Sequence, residues 1–186
     1  LGLVRITQRF TQVHVNHPKH REMMLKLIDA QQVLSRNNEL VVACRQYLER
    51  YGASGETALI EIRLADALEQ TTDREGAAKA AEVVWKRHGN SAIGKQYVER
   101  AVYIYQSLPG NELQTQAAAL SEEAMEKIPA KEFARAMGNN AVYLYSRLSK
   151  RVESNRVINR LFQKGLAGDS DQQRVSYLQM AANYEQ

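Results

Sequence analysis

The 186-residue chain predicts an all-α fold built as a solenoid of stacked antiparallel helix pairs. Three observations carry that expectation. Helix-breaking residues are scarce, with ten Gly and three Pro, while Ala, Leu, Glu, Gln, Arg and Lys are plentiful. Apolar residues recur at the i, i+3, i+4, i+7 spacing of one helix face, and no stretch reads as a hairpin or an alternating strand. One segment also repeats itself. Ala101-Val102-Tyr103-Ile104-Tyr105-Gln106-Ser107-Leu108 returns forty residues later as Ala141-Val142-Tyr143-Leu144-Tyr145-Ser146-Arg147-Leu148. Forty residues upstream, Leu64 and Leu68 hold two of the same slots, and Met24 and Ile28 hold them one step earlier. A single helix pair cannot bury its apolar face alone, so such units stack and share a continuous core.

The elements follow in order. Residues 1–17 read as the end of a preceding helix. Residues 18–52 form a pair, from Pro18 to about Arg36 and from Glu39 to Tyr51, closed by Gly52. The next unit, 53–89, shows the stripe Leu64, Ala65 and Leu68. Thr72-Asp73-Arg74-Glu75 then reads as a capping box, followed by a helix to about His88 that Gly89 ends. Unit 90–129 carries Ala101, Ile104, Tyr105 and Leu108, and breaks at Pro109-Gly110-Asn111 with Asn111 and Gln114 as caps. Its second helix spans Leu113 to about Ile128, stopped by Pro129. Unit 130–168 repeats the stripe and continues from about Ser154 to Gly165, ending at Gly168. A partial unit, 169–186, opens at Ser170-Asp171-Gln172-Gln173 and brings Ala181 to a first-helix slot. The chain starts on Leu, so it reads as about four and a half units of a longer array.

Laid side by side, the paired helices resemble a tetratricopeptide repeat. Leu64, Ala65 and Leu68 are followed by the small residues Ala77 and Ala81, then Val84 and Gly89. Ile104, Tyr105 and Leu108 are followed by Ala117, Ser121, Ala124 and then Pro129. The third unit departs, with Val157, Leu161 and Lys164 in place of the small set. Tyr105 and Tyr145 are bulky where that family prefers a small residue, no Trp fills the early slot, and the period of about forty exceeds the family's thirty-four. A related helical hairpin such as the HEAT repeat is the alternative. The resemblance implies a right-handed α-solenoid whose first helices line a concave groove for a peptide or protein partner.

Composition narrows the remaining classes. One Cys excludes a disulfide framework or a cysteine zinc ribbon. No apolar run approaches a membrane span, and mean hydropathy is −0.48. The net charge of +4 arises within residues 1–52, which hold eight Lys/Arg against four Asp/Glu, concentrated around Lys19, His20, Arg21 and Lys26. These bases alternate with acids along helices rather than forming a stripe with stacking aromatics, which argues against a nucleic-acid partner. His14, His17 and His20 are the only metal-type cluster, but Pro18 bends the chain among them and no Cys or carboxylate completes a tetrahedral set. Cys44, inside Leu40-Val41-Val42-Ala43-Cys44, reads as a buried inert thiol, and Trp85 as a packing residue. No phosphate loop, nucleophile elbow or His-Glu zinc pair occurs, so the expectation is a non-enzyme without cofactor or metal.

The remaining candidate is a surface. With the buried stripe centred on residues 101, 104, 105 and 108, Tyr103 falls on the opposite side with Glu99, Val102 and Gln106. Tyr143 joins Asn139, Val142 and Ser146, and Arg63 takes the slot one unit back, on a helix that also carries Asp66 and Glu69. These rings either line a groove or pack against the neighbouring repeat. The expected lining is therefore Arg63, Asp66, Glu69, Glu99, Tyr103, Gln106, Asn139, Tyr143 and Ser146. Three functions fit: a scaffold for a peptide or subunit, an envelope component supporting bacterial exopolysaccharide export with a glycan at the tyrosines, or a spacer between catalytic domains. Bacterial cytoplasm and periplasm both remain open.

Overall fold

The computed structural model describes residues 2–52 and 57–167, together with residues 171, 173, 175, 178 and 182. Among them the regular structure is entirely helical: α1 (Gly2–Val13), α2 (His20–Val33), α3 (Asn37–Tyr51), α4 (Thr57–Glu69), α5 (Arg74–His88), α6 (Ala92–Ser107), α7 (Asn111–Lys127), α8 (Lys131–Arg147) and α9 (Arg151–Gln163). Asp171, Gln173, Val175, Leu178 and Ala182 are also helical. The expected boundary at Gly168, the cap at Ser170 and the slot at Ala181 lie outside the described residues.

The chain divides into two compact units, Leu1–Arg87 and His88–Gln186. In the first, α1 packs on α2, α2 on α3 and α3 on α4; in the second, α6 packs on α7, α7 on α8 and α8 on α9. Helices adjacent in sequence are thus adjacent in space, as short connections require.

Alternate helices bury themselves in one register. Gly94, Tyr97, Val98, Ala101, Val102, Ile104 and Tyr105 are buried along α6, and Ala134, Met137, Gly138, Ala141, Val142, Leu144 and Tyr145 along α8. Residue by residue, the exposure of 94–108 repeats in 134–148. The same pattern opens at Thr57 in α4 and at Met24 in α2. The offsets between these helices are therefore 33, 37 and 40 residues rather than a uniform forty. Two consecutive residues per turn go inside, so Val102 and Val142, expected beside the tyrosines, are core residues instead.

Small side chains fill much of the buried face of two helices. Ala77, Ala78 and Ala81 are buried on α5, and Ala117, Ala118 and Ala124 on α7. Gly138 is closely enclosed, since a methyl group there would stand 2.6 Å from Leu161 Cδ2 and 2.7 Å from Met125 Sδ. A methyl group at 138 would have to push aside the Leu161 and Met125 side chains, which come from α9 and α7.

Three of the turns share one geometry. At Leu34-Ser35-Arg36 the Arg36 N–H donates to Gln31 O and the Ser35 N–H to Gln32 O, with Ser35 at φ 52°. Leu148-Ser149-Lys150 repeats the arrangement onto Tyr145 O and Ser146 O, with Ser149 at φ 57°. Lys164-Gly165-Leu166 repeats it onto Leu161 O and Phe162 O, with Gly165 at φ 63°. This is the Schellman closure, which satisfies two orphan carbonyls of the helix end through the main chain. At the start of α5, Asp73 rather than Thr72 is the cap: its Oδ1 accepts the Gly76 N–H at 2.9 Å, while the Thr71 hydroxyl accepts the Asp73 N–H. Glu75 pairs with Lys79 along the helix instead of closing a capping box. Gly52, in right-handed helical conformation at φ −50°, is not a left-handed terminator.

Two substitutions test this packing with opposite signs. Gly138→Ala is expected to destabilise the protein by about 1–3 kcal/mol through overpacking. Ser149→Gly is expected to stabilise it by up to about 1 kcal/mol by relieving the left-handed residue. Urea denaturation of both variants followed by circular dichroism reads the two values.

Candidate functional site

Both tyrosines of the expected surface reach solvent in the second unit. Tyr103 is 62% exposed and Tyr143 57%, at the same register of α6 and α8. Of the two placements open to them, these rings take the solvent-facing one. Glu99 and Asn139, one turn earlier, are exposed beside them, and Gln106 and Ser146 are half-buried one turn later. Ser146 shares a 2.9 Å hydrogen bond with Ser154, so its hydroxyl links α8 to α9. Arg147 stacks on the Tyr143 ring at 5.6 Å and donates to Gln114 Oε1 at 3.0 Å, which fixes that ring's surroundings. Tyr105 and Tyr145, two residues on, are buried at 2% and 3%. Each of the two helices therefore presents one exposed aromatic ring, with Glu99 beside Tyr103 and Asn139 beside Tyr143.

In the first unit the register places Asp66, not Arg63, in the slot of the tyrosines. Asp66 is exposed and Glu69 half-buried on α4. Arg63 is ion-paired with Asp29 of α2, an interaction that ties two helices together. The basic cluster near the N-terminus is likewise engaged. Lys26 pairs with Glu22, and Arg21 donates to the Tyr47 hydroxyl at 3.0 Å.

The strongest polar sites are ones that residue types alone do not flag, since an acid on a helix reads as a solvated face. Glu122 of α7 is 7% exposed and receives Arg156 Nε at 2.9 Å, Arg156 Nη2 at 2.7 Å, Arg160 Nη1 at 3.2 Å and the Tyr145 hydroxyl at 3.2 Å. One carboxylate thereby joins α7, α8 and α9. Glu61 of α4 plays the same part in the first unit, held by both the Nε and Nη2 of Arg87. Such forked contacts fix orientation as well as charge. The sequence signal was an acid in a buried register position, Glu61 among Thr57, Ile60 and Ala65.

His20 is buried between its neighbours rather than solvated: Nδ1 lies 2.6 Å from the Tyr51 hydroxyl and Nε2 3.0 Å from Thr11 O. With Nε2 protonated, the ring donates to Thr11 and accepts from Tyr51, joining α1, α2 and α3. His14 and His17 are exposed and pack against the Phe10 ring. Among the described residues, no group of three or more His, Cys, Asp or Glu is placed to hold a metal ion. Nor is any helix among them long and apolar enough to cross a membrane. Trp85 and Cys44 are both buried. Burial pushes the Cys44 thiol up to about 12, with Arg63 acting weakly the other way. Burial, followed by the neighbouring Glu122 carboxylate, pushes the Tyr145 phenol up to about 12.

No protein-family model matches the chain, and no curated protein does. Among solved structures it is similar to BtubC (BKLC) from P. vanneervenii, at 15% identity and a TM-score of 0.42, covering 98% of this chain and 79% of that one.

Two outcomes follow from these sites. Glu122→Ala is expected to cost about 2 kcal/mol, because Tyr145 loses its buried acceptor while the half-exposed arginines regain water; chemical denaturation measures it. Both raised groups favour their neutral forms in the folded state. Their contribution is complete below the unfolded values, near 9 for Cys44 and 10 for Tyr145, and is lost as pH rises toward 12. The urea midpoint should therefore hold up to about pH 9 and fall steadily above it, less steeply in Cys44→Ala, with Cys44 unreactive to thiol reagents until the protein unfolds.

Proposed function

We propose that the chain is a non-catalytic helical-repeat scaffold of the tetratricopeptide kind, a right-handed α-solenoid that holds a peptide or partner subunit against its first helices. The observation that carries this reading is the pair of exposed rings, Tyr103 and Tyr143, standing at one register of two alternate helices. A tyrosine held on a helix offers large contact area with little rotamer entropy to lose, which is why such residues dominate interface energetics. The common burial register of α2, α4, α6 and α8 supports the repeat part of the reading. On the tyrosine face, Glu99 and Asn139 would orient the partner's polar groups, with Gln106 at the edge. In the first unit, Asp66 and Glu69 would present an acidic counterpart, with Arg63 held back by Asp29.

A photocrosslinking amino acid at position 103 or 143 is expected to trap the same polypeptide from extracts of the native organism. Tyr103→Ala/Tyr143→Ala should lower its retention at least tenfold, as the loss of two interface anchors implies. Equal retention by the double variant, with its helical spectrum intact, removes the tyrosine face as the docking surface. Trapping of glycan instead of protein replaces the partner class.

A further inference from the structure

Helix α1 carries two apolar stripes, and the fold accounts for one of them. Val4, Thr7 and Thr11 are buried as α1 packs on α2, and the Thr11 carbonyl lies 3.0 Å from His20 Nε2. Ile6, Phe10 and Val13 form the second stripe at the i, i+4, i+7 spacing, roughly 120° round the helix from the first at 100° per residue. Ile6 is 66% and Val13 64% exposed, with Phe10 half-buried between them. The His14 and His17 rings lie 5.0 and 5.2 Å from the Phe10 ring and extend the stripe into the following turn.

The charge beside this stripe has one sign. Residues 1–21 hold Arg5, Arg9, Lys19 and Arg21 and no Asp or Glu. Arg21 is turned onto the Tyr47 hydroxyl at 3.0 Å. Arg5 and Arg9, one turn apart and exposed, form the row next to Ile6 and Val13, with no ion-pair partner among the described residues. Glu39 and Glu49 line cavities on the Gln8 and Gln12 flank of α1, on the side away from Phe10. These features select the occupant. A second copy would bring the same arginines to the contact, with no acid on the stripe to answer them. A nucleic acid would pair with the arginines but leave Ile6 and Val13 in water. The stripe is also a ridge, since the cavities beside α1 are lined by Gln8, Thr11 and Gln12 instead. A fluid bilayer closes around a ridge, and anionic headgroups draw in a flanking row of cations.

We propose that α1 docks the chain on an anionic phospholipid surface, with Ile6, Phe10 and Val13 at the acyl boundary and Arg5 and Arg9 at the headgroup phosphates. The helix lies in the plane of that surface and does not cross it. Its inner face is already packed on α2, so docking has no segment to fold. The site lies within the first unit and makes no use of Tyr103 or Tyr143, so either surface can fail alone.

The test is flotation of the whole chain with vesicles of phosphatidylcholine, alone or mixed equally with phosphatidylglycerol. The chain is expected to float with the mixed vesicles at low salt and to stay behind with the neutral ones. Arg5→Gln/Arg9→Gln should weaken partitioning at least about tenfold, as the loss of two cations at a charged surface implies. Ile6→Ser/Val13→Ser should weaken it by a similar factor, and Tyr103→Ala/Tyr143→Ala should float as the wild type does. All four α1 side chains are exposed, so these variants keep the fold, which a helical spectrum checks. In Val13→Trp, indole emission should move to shorter wavelength with the mixed vesicles only. The proposal is overturned by no flotation with mixed vesicles, by equal flotation with both kinds, or by a serine variant that floats like the wild type. It is also overturned by a wild-type dimer that Ile6→Ser/Val13→Ser abolishes, which gives the stripe to a second copy. A chain that ignores vesicles yet binds polyglutamate through Arg5 and Arg9 overturns it in favour of an acidic polypeptide.

Discussion

A helix flanked by neighbours on both sides can expose little more than one residue per turn. In α8, which packs on α7 and α9, the buried pairs Met137/Gly138, Ala141/Val142 and Leu144/Tyr145 leave a thin strip at Ala136, Asn139, Tyr143 and Arg147. The pattern of exposure is the same in α6. Much else in the second unit follows from it. Gly138 leaves room for the side chains of Leu161 and Met125, which converge on it from two helices. Glu122, forced inward by its register, has to bring guanidinium groups and a phenol with it. Any large ring that does reach solvent is confined to the strip, so Tyr103 and Tyr143 stand at equivalent positions.

Helix existence was legible residue by residue, because periodicity, Gly89 and Pro129 each act locally. Cys44 and Trp85 were equally legible, lying in apolar stretches that have nowhere to go but inward. The width of the buried face was not. A wheel centred on four residues assigns half of each helix to water, yet Val102 and Val142 are buried, because the width of the face that packing encloses is a tertiary fact. A uniform step of forty residues likewise put Arg63 where the burial register puts Asp66, since connections of unequal length shift the register without changing the helices. The cap at Asp73 was missed by one position, a shift that Thr71, Thr72 and Asp73 in sequence do not resolve.

The tyrosine strip would act through apolar area, where the partner's own shape sets specificity. The buried carboxylates play a different part. Glu61 with Arg87 and Glu122 with Arg156 and Arg160 pair one helix with another.

The turns at Ser35, Ser149 and Gly165 reverse the chain through main-chain bonds that any residue can make. They ask of their sequence only tolerance of one left-handed residue, and Ser meets that demand twice in place of Gly. A reversal specified this way leaves almost no imprint in the order of residues. Substitution across such a bend erodes its ancestry while the hairpin itself persists, so descent can outlast every written trace of it.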